Sequence, residues 1–306
     1  MTSVSIEKSV RTKSGWVNRR RLSQLGVHAA LIVFMLIVFI PIIWTIATSF
    51  KDRSEFMTNS ASLIPHSFSL VNYQYVLSQV RGLPQYLLNS LILAGGTAIL
   101  QVLICSLAGY AFARMRFPGR DLIFALLLIS MFIPRSGGLM ALYELMAFLK
   151  LRNSLIGLIL LFAASVPGAI FIMRQNFLAL PQEIEEAALI DGANWFHVFF
   201  RIALPLATGG MIVVATLAFV GVWSDYLISY TMIDRDQLLP ISVGIQRLII
   251  GAGTVYQAAL SQFSGLFAAE AANAAMLLFA TMPVIIVYAL LQKWFMKGLM
   301  EGAIKS

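Results

Sequence analysis

The 306 residues predict an all-α, polytopic membrane protein with about six transmembrane helices. Two features of the composition lead to this fold class: 59% of the residues are apolar and only 12% are charged. Soluble domains contain about one half apolar and about one quarter charged residues. This chain has too few polar residues to cover the surface of a soluble core of its size, so lipid is predicted to be part of its solvent.

Six apolar segments are long enough to cross a bilayer as helices, which takes roughly 20 residues each. The third is interrupted at Pro134 and Arg135, so Leu139–Leu149 either continues that span or forms a separate amphipathic piece. The first exceeds the length of a signal-peptide h-region, about 7–15 residues, and is predicted to remain as a helix. The predicted spans are Leu25–Ser49, Tyr86–Phe112, Leu122–Leu142, Ser154–Asn176, Leu206–Tyr230 and Ala271–Phe295.

The distribution of basic residues predicts the orientation of these spans. With the N-terminus inside, 14 of the 22 Lys and Arg residues lie on the cytoplasmic side, as the positive-inside rule requires. Both termini are therefore predicted to be cytoplasmic. The predicted segments are a basic cytoplasmic tail (1–24), a first transmembrane helix (25–49), an extracytoplasmic loop (50–85), a transmembrane core (86–296) with a cytoplasmic loop at 177–205, and a cytoplasmic tail (297–306).

Several classes of function find no support in the sequence. The net charge of +8 comes from short basic segments beside apolar runs, which is typical of membrane topology and does not indicate nucleic-acid binding. The single Cys105 and three scattered histidines lack the spacing of metal ligands. The sequence G-x-x-x-x-G-K-[ST], which would hold ATP phosphates, is absent. The span centres carry almost no ionisable side chains, which disfavours an ion-coupled secondary transporter.

The 177–205 loop is the most informative segment, and Glu185 to Pro205 reads EEAALIDGANWFHVFFRIALP. Pro181 is predicted to lie in the first turn of a helix, where its missing N–H has no cost. Gly192 permits a left-handed residue at the end of that helix. Asn194 is predicted to cap a second short helix that runs through Arg201. Together these signals predict a helix–turn–helix, although an ordinary amphipathic linker would share some of them.

This segment resembles the EAA loop of ABC-type import permeases. The family pattern is Glu-Ala-Ala, three residues, Gly, nine residues, then Ile-x-Leu-Pro, and it fits here without a gap. The resemblance implies that the loop docks onto a separate ATPase subunit. The residues assigned to this ATPase-coupling site are Glu185, Glu186, Ala187, Ala188, Asp191, Gly192, Ile202, Leu204 and Pro205.

Further segments narrow the resemblance to the carbohydrate, maltose-permease-like branch. They are SLAGYAFARMRFPGR (Ser106–Arg120), IDGA (Ile190–Ala193) and the tail QKWFMKGLMEGAIKS (Gln292–Ser306). The implied fold is a type I ABC importer transmembrane domain in the bacterial inner membrane. Implied partners are a dimer of ATPase subunits that hydrolyse ATP with Mg, an extracytoplasmic solute-binding protein, and a second permease subunit, with a different chain favoured over a second copy. No cofactor is expected on this chain, which would be a transport subunit and not an enzyme.

The substrate path is predicted near the outer end of the fifth span. The family's Trp-Asn-Glu-Phe pattern appears here as Trp223-Ser224-Asp225-Tyr226, and aromatic faces beside a polar group suit a sugar. In an unbroken helix Trp223 and Tyr226 would share one face while Asp225 points away from it. One cavity could therefore accept all three side chains only if the helix were broken there. The geometry favours one face that lines the path and another that packs against a neighbour, and Trp223 could equally serve packing. A polyamine or another small polar solute is the alternative substrate, with a secondary transporter or an intramembrane enzyme further behind.

Overall fold

The computed structural model describes residues 11–79, 82–133, 135–247 and 268–303, and these ranges contain helices and turns but no strand. The apolar runs favour helices because only a helix satisfies its own backbone groups in lipid. In chain order the helices are α1 Arg11–Ser49, α2 Arg53–Thr58, α3 Val71–Gln79, α4 Leu83–Arg114, α5 Arg120–Ile129, α6 Leu139–Phe148, α7 Leu155–Ala163, α8 Pro167–Leu178, α9 Gln182–Ile190, α10 Trp195–Val198, α11 Leu204–Leu206, α12 Thr208–Trp223, α13 Leu227–Met232, α14 (residues 241–247) and α15 Ala269–Ala303.

Three of the predicted spans are confirmed as single helices long and apolar enough to cross a membrane. They correspond to Gln24–Ser49 within α1, to the whole of α4, and to Ala269–Trp294 within α15. The most apolar stretch of α1 is not buried at all, whereas 39% of that of α4 is buried. This stretch of α1 therefore packs little against the rest of the chain, whereas α4 is a central element of the packing.

The fourth and fifth predicted spans are helix pairs and not straight helices. Between α7 and α8 the axis bends by 54°, and between the segment Trp195–Leu206 and α12 it bends by 74°. The fifth prediction, Leu206–Tyr230, was also wrong about continuity near its C-terminal end. There α12 stops at Trp223, and α13 begins only at Leu227.

The third predicted span, Leu122–Leu142, was wrong as one helix. The chain forms α5, a 3₁₀ turn at Ser130–Phe132, and then the separate ten-residue helix α6. A proline disfavours helical geometry at the preceding residue and removes a backbone donor, so Pro134 favours a break in this apolar run. The alternative of a separate piece near Leu139–Leu149 matches α6.

The chain divides by its internal contacts into two units. One contains residues 11–76 and 268–278, and the other contains the described residues of 77–247 together with 279–303. In the second unit α4 packs against α7, α8 and α12. Gly109 makes the approach of α4 to α8 possible, because a Cβ there would lie only 2.6 Å from Cβ of Met173.

Within the first unit, the Lys51–Tyr73 segment is held by charged groups that are buried among backbone atoms. Lys51 is completely buried, and its Nζ donates to the carbonyls of Asn59, Ser60 and Ser62 at 3.1, 2.9 and 2.7 Å. The Glu55 carboxylate accepts from the backbone N–H groups of His66 and Ser67 at 2.7 and 2.9 Å. This polar segment therefore has a defined structure of its own.

Candidate functional site

The 177–205 loop forms a helix, a tight turn and a second helix. The first helix, α9, begins at Gln182, so Pro181 stands immediately before it and not within its first turn as predicted. Gly192 has a φ of +91°, which confirms the predicted left-handed turn residue. The Asn194 side chain accepts a hydrogen bond from the N–H of His197 at 2.8 Å, which confirms the predicted cap.

The second helix of this loop changes its geometry before it enters the membrane core. After α10 the chain widens into a π-helical turn at Phe199–Ala203 and then continues as α11. The predicted helix from Asn194 through Arg201 is therefore present, but it is not regular. Such turns often occur at functional sites, and this one lies just before the 74° bend.

Most of the loop's surface is open and contains large apolar side chains. The exposed fractions of Ile190 and Phe196 are 86% and 75%. Of the nine residues assigned to the coupling site, eight are exposed or partly exposed: Glu186, Ala187, Ala188, Asp191, Gly192, Ile202, Leu204 and Pro205. Large apolar side chains that are exposed on a polar loop are candidates for a protein-binding surface.

Glu185 is the exception, because its side chain points away from this surface. It is only 5% exposed, and its Oε1 accepts from Nε of Arg114 at 2.9 Å. Its Oε2 accepts from the hydroxyl of Tyr110 at 2.9 Å. Arg114 also donates from Nη2 to the carbonyl of Leu180 at 2.8 Å. The start of α9 is thereby fixed to the last turn of α4.

Tyr110 joins this polar contact to the apolar core. Its ring meets that of Phe177 edge-on, with centroids 5.3 Å apart, and that of Phe199 at 5.0 Å. These rings come from α8 and from the π-helical turn. A buried tyrosine commonly has this arrangement, with its ring in apolar contacts and its hydroxyl hydrogen-bonded. Tyr110 therefore contacts α8, α9 and the π-helical turn.

A cavity of about 780 Å³ lies in the same unit, where several helices are broken. Ser130 follows α5, Ser165 lies between α7 and α8, and Asp225 lies between α12 and α13. Gln101 of α4 also lines the cavity and donates to the carbonyl of Ser165. Irregular backbone at membrane depth is tolerated where it is buried in protein or lines a cavity. The three breaks therefore lie around one cavity.

The three residues of the predicted substrate path have different surroundings. Trp223 is 6% exposed and donates from Nε1 to the carbonyl of Ala280 at 3.0 Å, so it packs against α15. Asp225 lines the cavity, and its Oδ1 accepts from N and Oγ of Ser229 at 2.9 and 3.0 Å. Tyr226 is partly exposed and stacks on Tyr230.

Several contributors to these sites were missed by the reasoning from sequence. Tyr110 and Arg114 belong to a segment quoted only for its resemblance, and Gln101 lies within an apolar span. The signal that could have identified Gln101 is a polar residue inside a predicted span, because such residues usually face protein or water. Among the described residues, no group of three His, Cys, Asp or Glu side chains could hold a metal ion.

Comparison with known proteins places this geometry in a family. The family described as "Binding-protein-dependent transport system inner membrane component" matches residues 19–301. The diacetylchitobiose uptake permease NgcG of Streptomyces coelicolor is 30% identical, covering 94% of this chain and 90% of that protein. The arabinooligosaccharides permease AraQ of Bacillus subtilis is 31% identical, covering 89% and 92%.

A solved structure of a bacterial ABC transporter that imports alginate shares the fold. Its TM-score is 0.81 at 21% identity, covering 96% of this chain and 100% of that chain. The predicted fold of an ABC importer transmembrane domain is thereby confirmed. The chain therefore belongs to the binding-protein-dependent transport system inner membrane component family, the membrane permeases of ABC importers.

Proposed function

We propose that this chain is the permease subunit of an ATP-driven importer for a sugar or oligosaccharide, and that its 177–205 loop docks onto a separate ATPase. The observation that carries the coupling role is the exposed face of a loop that is fixed at one end to α4. Ile190 and Phe196 are exposed, whereas Glu185 is buried against Arg114. An apolar surface on a firmly held helix suits a partner that must push the loop without deforming it.

The relatives support a carbohydrate as the solute. NgcG is named for diacetylchitobiose, AraQ for arabinooligosaccharides, and YtcP of Bacillus subtilis for polygalacturonan and rhamnogalacturonan. The cavity has a mainly apolar lining with a few polar groups, among them Gln101, Ser130 and Asp225. That composition is typical of small-molecule sites, where few polar groups determine orientation.

The proposed assembly is the one that this family of importers implies. A binding protein delivers the solute from outside, this chain and a second permease form the path, and two ATPase subunits hydrolyse ATP with Mg. The chain lies in the bacterial inner membrane with both termini in the cytoplasm. Closure of the ATPase pair changes the contacts on the 177–205 loop, and this difference in contacts shifts the permease between outward-facing and inward-facing states.

The first experiment reconstitutes the complete transporter in vesicles and measures uptake of labelled oligosaccharide with and without ATP. The variant Phe196→Ser should weaken co-purification with the ATPase by at least about tenfold, as expected for an interface anchor. Phe68→Ser is the matched control, because Phe68 is also 75% exposed but lies in the Lys51–Tyr73 segment. Uptake driven by an ion gradient without ATP, or equal effects of the two variants, would contradict the proposal.

Asp225 provides a specific reason to test a cationic solute such as a polyamine, because its carboxylate lines the cavity. Asp225→Asn preserves the shape and can still accept the hydrogen bonds from Ser229. Uptake of a neutral sugar should then change less than about threefold, whereas uptake of a polyamine should fall at least about tenfold with the loss of the ion pair. Uptake assays with both solutes distinguish the two substrates.

A further inference from the structure

We propose that Glu185, Arg114 and Tyr110 form the mechanical link that carries movement of α9 into α4, and thus from the ATPase to the cavity. They are positioning residues, and the inference rests on the proposed coupling function. Glu185 is the acidic neighbour of the exposed Glu186 in the same helix. The two glutamates would then have different roles, one fixing α9 to the permease and the other facing the partner.

The first argument is that the contact joins parts of the chain that are far apart in sequence. Arg114 and Glu185 are separated by 71 residues, and Tyr110 and Glu185 by 75. Both carboxylate oxygens are occupied, each at 2.9 Å, so rotation about a single hydrogen bond is prevented. The side chains of both ionic partners are only 5–6% exposed. Solvent therefore screens the attraction much less than at the surface.

The second argument is that this ion pair is poorly arranged as a device for stability alone. Removing two charges from water costs free energy that their attraction often does no more than offset, so apolar residues of similar volume can serve stability equally well. In addition, Nη1 of Arg114 is buried and has no hydrogen-bond partner among the described residues. Leaving a buried donor unpaired is unfavourable. A directional contact between two elements explains the arrangement better.

The third argument is the route from the contact to the cavity. Tyr110 and Gln101 lie on the same uninterrupted helix α4, nine residues apart, which corresponds to about 13 Å along its axis. Gln101 lines the cavity and donates to Ser165 in the break between α7 and α8. Close packing at Gly109 further limits the sliding of α4 against α8. A displacement of α9 therefore reaches the cavity through one rigid helix.

The test uses the complete transporter, with its ATPase and binding protein, and measures solute moved per ATP hydrolysed. Tyr110→Phe removes one hydrogen bond and retains the ring contacts with Phe177 and Phe199. It should preserve folded yield and ATPase association but lower the transport ratio about fivefold, a change within the range expected for loss of one hydrogen bond. Glu185→Gln should lower the ratio further, because it leaves Arg114 without its counter-charge.

The matched control is Asp121→Asn, which removes the carboxylate of an arginine ion pair whose Asp121 side chain is 79% exposed. It should leave the transport ratio unchanged. An unchanged ratio in Tyr110→Phe, or a loss of folded protein in that variant, would overturn the link while wild-type transport remains intact. Absence of ATP-dependent uptake in the wild type would instead overturn the proposed function and the link with it. If Glu185→Gln fails to fold, Tyr110→Phe alone decides.

Discussion

Two buried charges, Lys51 and Glu185, are held in opposite ways. The Lys51 ammonium is satisfied by three backbone carbonyls that lie 8 to 11 residues further along the chain. Glu185 is satisfied by two side chains that lie 71 and 75 residues away. The first charge closes its own segment, whereas the second connects separate helices. Burial alone therefore does not reveal the role of a charged residue. The sequence distance to its hydrogen-bond partners reveals whether it shapes one segment or connects separate helices.

This difference leads to an expectation about function. A local contact determines the shape of one segment, so its loss should reduce the folded amount without changing how each folded molecule works. A contact between distant elements also transmits displacement, so its loss should change performance per molecule.

Lys51→Met should be the most damaging of these changes. It removes the donor to three carbonyls in a completely buried position, and we expect a loss of about 3 kcal/mol in the free energy of unfolding. Thermal unfolding of the purified protein in detergent measures this loss. Uptake per folded molecule should stay within about twofold, because the missing contact is local.

Lys150→Met is the matched control for this change, since Lys150 is exposed. Its melting temperature should equal that of the wild type. If Lys51→Met moved less solute per ATP than the wild type at equal amounts of folded protein, a local contact would have a part in coupling. That result would contradict the expected difference between local and distant contacts.

Gly192→Ala should have an intermediate effect on stability. It tests the coupling role of the 177–205 loop directly. A Cβ at a φ of +91° is unfavourable by about 1–2 kcal/mol, although no atom lies within 4 Å of its position. The strain should reorient α9 relative to α10, lowering ATPase-coupled uptake more than folded yield. Gly95→Ala is the control, because it is a helical glycine with equally open space. Equal uptake in both variants would remove the turn from the coupling mechanism.

The sequence predicted the fold class well because hydropathy averages over long stretches. It was wrong about continuity in the third span, where the alternative of a separate piece near Leu139–Leu149 matched α6, and at Ser224 to Tyr226 in the fifth. An average over about 20 residues does not register a three-residue break. The helix geometry of Trp223, Asp225 and Tyr226 did indicate that one cavity could accept all three only if the helix were broken. The helix is broken there, but only Asp225 lines the cavity.

Within the candidate site, local signals were predictable and distant partners were not. Gly192 and Asn194 were predicted correctly because a left-handed turn and a helix cap depend on the residue and its immediate neighbours. The burial of Glu185 could not be predicted in this way, since its partners Tyr110 and Arg114 belong to another helix. Helix periodicity places Glu185 and Glu186 only about 100° apart, and it does not show which of them faces the protein.

Glu55→Gln should have the smallest effect on stability. The pH dependence of stability in this variant tests whether the Glu55 carboxylate is held as a charge by local contacts. Burial by itself would raise the pKa of Glu55, but hydrogen bonds from the Ser67 hydroxyl and from the backbone N–H groups of His66 and Ser67 lower it below its usual 4.5. A group whose folded pKa is depressed stabilises the protein above its unfolded pKa, and this contribution is lost as pH falls through the folded pKa. The wild type should therefore lose stability below about pH 4.5.

Glu55→Gln should cost about 0.5–1 kcal/mol at neutral pH, because the amide oxygen can still accept part of these hydrogen bonds. It should also flatten the decline of the melting temperature between pH 5 and pH 3, measured in detergent. Some decline should remain, since the Glu55 N–H and the Ser54 hydroxyl likewise lower the pKa of Asp52. Glu144→Gln, at an exposed position of α6, should leave the profile unchanged. If the pH profile of the melting temperature were unaltered in Glu55→Gln, the carboxylate would not be held as a charge. Lys51 would then be the remaining example of a buried charge held by local contacts.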